Sequence, residues 1–387
     1  MRIVDIRECS VPLRGAVSNA VVRFDHHTVS LVAVVSDVIR NGKPVCGVAF
    51  NSIGRFAQSG ILRERMIPRI LGASPDDLLD RNGDISPEAL LRQALRDEKP
   101  GGHGDRASAA AALELACWDL LGKLADEPAY ATIARAEDTK VRNPHVPVYA
   151  AGGYYRPGDD INGLRGELAG YLDAGYRSVK IKIGGLPLAD DLRRIEAAID
   201  TVGAGSCVAV DANGRFDRDT AVRYAKALAP YGLRWFEEPV DPLDLAGTAA
   251  VADAHDGVLA TGENIFSSQD VANLLAFGGL RADRAILQMD AGLSYGLTEY
   301  RQMLRLLDDA GFDRSSAIPH GGHLINLHIV AGLGLGGCES YPGVFAPFGG
   351  FGDACVVDDG FLRPPQQPGF GLEAKPGLGE IIARLVQ

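Results

Sequence analysis

Several large protein classes require features that this chain does not have. Its six cysteines, Cys9, Cys46, Cys117, Cys207, Cys338 and Cys355, show no CxxC pair and no ligand-like spacing. A disulfide framework and a zinc ribbon are thereby disfavoured, and free thiols in a reducing compartment are expected. No apolar run reaches the ~18 residues of a membrane span, and MRIVDIRECS lacks a basic region followed by an apolar one. No membrane partner and a cytoplasmic location are expected. A basic surplus is also missing: 39 Lys and Arg stand against 50 Asp and Glu, for a net charge of -11. Such a field repels nucleic acid and anionic membranes, so a small anionic substrate has to be held by local cations. KIKIGGLPLADD lacks the full GxGxxG pattern, which argues against a dinucleotide enzyme.

What is present is a large apolar fraction and a regular spacing of acids. Over 387 residues, 46% hydrophobic against 23% charged composition can fill a sizeable core, and the length suggests two domains. Asp211 in VAVDAN, Glu237 in WFEEP and Glu263 in ATGEN follow one another at 26-residue intervals, each closing a short apolar run. That interval is one strand plus one helix, so the three carboxylates arrive at neighbouring strand ends of a parallel sheet. SVKIKIG lies one step upstream; AILQMD, ending at Asp290, and SAIPHGG, around His320, lie downstream. With VPVYAAGG first and GGCESYPG last, eight strands close a βα barrel.

The three acids in register point to a metal, and oxygen-only ligands without nearby cysteine favour Mg²⁺ over zinc. Glu238, next to Glu237, falls on the opposite face of a regular strand, so Glu237 is the expected ligand. In Val179-Lys180-Ile181-Lys182-Ile183 the two lysines share one face, inward in a barrel. Side by side, each makes charging the other costlier, which would lower Lys182 toward a usable base. His320 can act as acid or base near neutrality, and Asp290, one unit earlier, can orient its ring and stabilise the imidazolium. His103, His323, His328 and the His26-His27 pair are read as structural. For Glu339, at the end of the last strand, contact with a substrate carboxylate and simple strand termination both stay open.

Residues 1 to about 125 have three apolar strands followed by helical stretches near 61–70, 87–96 and 107–124. This reads as a separate α+β domain. The segment from about 345 onward is too long for another βα unit and is expected to return to it.

Together, the KxK strand, the Asp/Glu/Glu triplet and the Asp–His pair resemble the mandelate racemase branch of the enolase superfamily over nearly the whole chain. The resemblance implies an N-terminal α+β capping domain (1–125), a modified TIM barrel of (β/α)₇β form (126–344) and a C-terminal segment (345–387) that completes the cap. It also implies Mg²⁺ and removal of a proton α to a carboxylate to give an enediolate, which is the superfamily's generic chemistry rather than anything read from spacing. Assembly as a homo-oligomer is implied as well.

Within the branch, the loops resemble the D-tartrate dehydratases. The segments that carry this are Asn51-Ser52, Glu98-Lys99-Pro100-Gly101-Gly102-His103-Gly104, Ala151-Gly152-Gly153-Tyr154-Tyr155, Asp211-Ala212-Asn213-Gly214-Arg215 and Pro319-His320-Gly321-Gly322-His323. The implied roles are Lys182 as base, His320 as acid and Lys180 as a cation beside the substrate carboxylate. Lys99 and Asn19 would hold its far end, with Asn51, Asn213 and Glu339 as further substrate contacts. One departure is Ile53, where that group carries a polar Asn. A racemase is the nearest alternative, muconate-type cycloisomerisation is disfavoured by the acid pair, and a noncatalytic binding protein would need neither the lysines nor the histidine.

Overall fold

The computed structural model describes residues 1–15, 17–138, 144–156, 158 and 160–387; Pro157 and Asp159, in the Gly- and Pro-containing run GGYYRPGDD, lie outside these. Three strands open the chain, β1 (Ile3–Pro12), β2 (Thr28–Arg40) and β3 (Lys43–Phe50), paired antiparallel in sequence order. β2 is the central strand, and its run from Val29 to Val35 is buried throughout, as a strand covered on both faces should be. The helix Asp105–Ala125 packs on β3 and β2 and is buried almost all round. Contact is close enough that a Cβ at Gly47 would lie 2.0 Å from the Ala116 carbonyl, so only glycine fits there.

The second sheet is parallel and runs β10-β4-β5-β6-β7-β8-β9. Its members are β4 (Val146–Gly152), β5 (Val179–Lys182), β6 (Val208–Asp211), β7 (Trp235–Glu237), β8 (Leu259–Thr261), β9 (Ala285–Leu287) and β10 (Cys338–Ser340). A helix follows each strand from β4 to β9. The segment expected as the seventh of eight strands is not a ladder strand. It joins β9 through the single bridge Leu287–Ala317 and through Ile318 N–H and His320 N–H, which donate to Leu287 and Gln288 carbonyls. Pro319 has no N–H to give, and Gly321 turns away at φ +91°, so pairing cannot continue. The helix Leu324–Leu333 follows, and β10 returns beside β4, completing seven βα steps and a last strand.

The C-terminal segment divides its contacts. Its short strand β11 (Phe361–Leu362) pairs antiparallel with β4 of the barrel, an attachment the sequence reading did not contain. Beyond it, Phe370 N–H donates to Asp119 and the helix Gly379–Leu385 packs on β1, both in the N-terminal layer. A second tie between layers is Glu114, which accepts from Leu297 N–H (2.8 Å), Thr298 N–H (2.9 Å) and the Thr298 hydroxyl (2.6 Å). This buried carboxylate thus caps a barrel helix at its positive end. Among the described residues, no helix is long and apolar enough to cross a membrane.

Candidate active site

Strand register gathers the charged groups. Lys182 lies opposite Asp211 across β5 and β6, and Asp211 opposite Glu237 across β6 and β7. Alternation turns the inward side of each strand to the barrel axis, and the C-terminal ends of the strands set these groups at one mouth. Glu263 stands two residues past β8, and Asp290 three past β9. Donor oxygens of Asp211, Glu237 and Glu263 lie within 4.8 Å of one another.

Both lysines are buried, Lys180 at 1% and Lys182 at 5% exposure. Lys182 Nζ lies 2.5 Å from Asp211 Oδ2 and 5.2 Å from the centre of the Tyr154 ring. Lys180 Nζ sits between Glu237 Oε1 (2.5 Å) and Glu339 Oε1 (2.7 Å). The expected lowering of Lys182 is not what this arrangement gives. Burial and the Lys180 charge do push it down, but Asp211 in direct contact, together with Tyr154 and Glu263, outweighs them and its pKa is raised. Burial also pushes Asp211 up, yet the two lysines hold it down at about 2.

Carboxyl groups outnumber the cations here. Glu237 is pushed up to about 8 by burial and the neighbouring Asp211 charge. Glu238 is likewise raised, by burial and Glu263. Glu238 does not obey regular alternation: its backbone at φ +37° leaves the strand, and Asn264 Nδ2 donates to both its oxygens. It therefore lies on the site side, beside Glu263. Oxygen donors in excess of cations, buried and converging, fit a hard divalent ion. Asn213 adds to this fit, since its N–H holds Asp211 Oδ1 at 2.8 Å, its Nδ2 reaches Glu263, and its buried Oδ1 has no partner among the described residues.

His320 closes the opposite side of the triad. Its Nδ1 is 3.1 Å from Asp290 Oδ2, its Nε2 is 3.0 Å from the Tyr341 hydroxyl and 3.9 Å from Glu263 Oε2. Burial lowers its pKa, but Glu263 and Asp290 together raise it to about 9, so the ring is protonated at neutrality. Asp290 is fixed in turn by Gly292 N–H (2.8 Å) and Asn326 Nδ2 (3.2 Å). The cap contributes Ser52, whose Oγ is 3.0 Å from His323 Nε2, and Gly54, which approaches His320 Cε1. Ile53 between them is buried.

The other expected substrate contacts divide. Glu339 is fully inside, held by Lys180 and Gly321 N–H. Asn19 lines a cavity of about 400 Å³ with Tyr155, Arg156 and Arg194, its Oδ1 taken by Val21 and Val22 N–H. Asn51 differs from expectation: it is buried, its Oδ1 accepts from Ser30 N–H and its Nδ2 donates to Phe56 O, so its amide secures the cap backbone. Lys99 is exposed, and its ammonium makes no ion pair with described residues. Tyr154, Tyr341, Asn264 and Asn326 received no role from the sequence. Tyr154 and Tyr341 do lie within or just after the quoted strands, and an inward parity count would have flagged Tyr341 two residues after Glu339.

Residues 163–378 match the family described as Enolase C-terminal domain-like. The chain belongs to the enolase superfamily. It is 31% identical over 273 residues to the 3,6-anhydro-alpha-L-galactonate cycloisomerase of Streptomyces coelicolor, covering 70% of each chain. To the L-talarate/galactarate dehydratase of Salmonella typhimurium it is 28% identical over 330 residues, 84% of this chain and 77% of that one. Its fold matches a racemase from Streptomyces coelicolor solved with bound magnesium, at TM-score 0.79, 24% identity and 99% coverage of both chains. These superfamily relatives include dehydratases and isomerases alike.

Proposed function

We propose that this enzyme is a Mg²⁺-dependent dehydratase of a hydroxy-dicarboxylic or sugar acid, with D-tartrate to oxaloacetate as the first candidate reaction. One observation carries the reading: Lys182 abuts the acidic triad at Asp211, and protonated His320 abuts it at Glu263. A base and an acid thus flank one centre fit for a divalent cation, as loss of water from a hydroxy-acid requires. Bound at Asp211, Glu237 and Glu263, Mg²⁺ would supply positive charge for the substrate carboxylate and for the charge that develops there as the α-proton leaves.

Lys182 takes the α-proton on Nζ: burial and the neighbouring Lys180 charge disfavour its ammonium, and they act against the Asp211 contact that holds a proton there. His320, held by Asp290, gives its proton to the departing β-hydroxyl, so the C–O bond breaks to release water. The enol that remains tautomerises to a keto acid. Lys180, fixed between Glu237 and Glu339, keeps a positive charge beside the substrate carboxylate. The loop segments that resemble D-tartrate dehydratases support that substrate, and Ile53 is the residue that speaks against it.

The test is a screen of D-, L- and meso-tartrate, aldaric and aldonic acids with Mg²⁺, read as keto acid formed. Turnover of D-tartrate that EDTA abolishes supports the reading as stated. Turnover only of longer acids keeps the chemistry and changes the substrate. α-Proton exchange in D₂O without keto acid replaces the dehydratase by a racemase.

A further inference from the structure

Lys375 lies in the C-terminal segment, yet it reaches the turn that borders the acid end of the site. It is 7% exposed, and its ammonium donates to three successive carbonyls, Gly349 at 2.8 Å, Gly350 at 3.0 Å and Phe351 at 3.3 Å. An ammonium has three hydrogens, and one loop takes all of them. No carboxylate pairs directly with it among the described residues, so its hydrogen-bond partners are backbone carbonyls, and Asp353 favours its charge only from a distance. A buried charge held in this way is costly unless its bonds are all made.

The same turn is tied to the residues around His320. Gly350 N–H donates to the Gly322 carbonyl at 2.7 Å, and Gly350 bridges His323. Gly349 and Gly350 also lie against Tyr341: a Cβ on either would come within 3.3 Å of Tyr341 Cβ or its carbonyl. Tyr341 in turn places its hydroxyl 3.0 Å from His320 Nε2, while Gly321 and Gly322 directly follow His320 in the chain. Gly350 is at φ +71°, so the turn has a conformation that few other residues would hold.

We propose that Lys375 is a positioning residue, whose ammonium gathers the carbonyls of Gly349, Gly350 and Phe351 and thereby holds Gly322, His323 and Tyr341 in place around His320. Its effect on turnover rests on the function proposed above; its effect on the order of these segments does not. The C-terminal segment then completes the barrel mouth as well as the N-terminal layer.

Lys375→Met keeps the apolar stem and removes the donors. In the Mg²⁺-loaded enzyme, hydrogen–deuterium exchange should rise about tenfold or more in peptides covering both 345–353 and 320–326. On whichever acid the screen shows to be turned over, kcat should fall by a similar factor with KM within about twofold. Lys375→Gln, which retains two donors and a shorter reach, should show the same pattern more weakly, and it serves where the methionine variant does not fold. Faster exchange confined to 345–353, with 320–326 unchanged, overturns the proposal and leaves Lys375 as a loop staple. An unchanged kcat in an active enzyme overturns the catalytic part. A wild type silent throughout the screen defeats the proposed function, whereas the exchange comparison still decides Lys375.

Discussion

Two levels of the barrel interior differ in character although only two residues separate them along β6 and β7. At one level lie Tyr149, Ala209, Trp235, Ala260 and Ile318, a small apolar plug. Lys180 and Glu339 border it, in register with Ala209 and Tyr149, and two positions further along β6 and β7 Ala209 gives way to Asp211 and Trp235 to Glu237. The layers touch, because the Trp235 indole N–H donates to Glu237 Oε2 at 2.7 Å. The plug thus supports the fold and also orients one carboxylate above it. The lesson is that burial alone does not separate scaffold from site here; depth along the strand does.

Substitutions in the two layers should separate accordingly. Lys182→Ala is expected to lower kcat by about 10³-fold, or about 4 kcal/mol, while Mg²⁺ binding measured by calorimetry persists. Trp235→Ala should do the opposite first, losing about 3–5 kcal/mol of stability in urea unfolding. A Trp235 variant that stays as stable as wild type would erase the distinction between the layers. Metal tests the upper layer alone: at about 100 times its Kd, Mg²⁺ should add about 2.7 kcal/mol of stability, and Asp211→Asn should lose that gain.

A smaller effect concerns a buried base outside both layers. His328 is pushed down to about 3 by burial, and its Nδ1 accepts from Tyr130 N–H. The folded state therefore refuses a proton that the unfolded chain takes up below about pH 6.5. Stability should fall as the pH drops below that value, by up to about 1.4 kcal/mol per pH unit from this residue, and no such loss should arise above it. His328→Leu should flatten the slope of unfolding free energy between pH 6 and 4. Smallest of all, Ile53→Asn should shift the ratio of kcat/KM for D-tartrate over longer acids by about tenfold or less, leaving Lys182-dependent turnover intact.

Much of this site was legible because a βα repeat converts spacing into position. Acids 26 residues apart can only arrive at successive strand ends, and lysines two apart can only share a face. Alternation failed where the backbone departs from it, at Glu238 with its positive φ and at Pro319, which ends the seventh strand after one bridge. Asn51 failed for another reason: whether an amide is free or spent on its own backbone is invisible without the partner's coordinates.

By itself, then, the sequence determined the barrel, the acidic triad and the lysine and histidine on either side of it, since periodicity fixes which residues share a face and an end. Tertiary structure alone decided how those groups are charged. The Asp211 contact holds the proton on Lys182, the excess of buried carboxylates raises Glu237, and Glu263 with Asp290 keeps His320 protonated. Tertiary structure also brought Ser52 to the site, and Lys375 to the turn that borders it, from remote segments. Electrostatic energy depends on distance and burial in three dimensions, and neither is written in the order of residues along the chain.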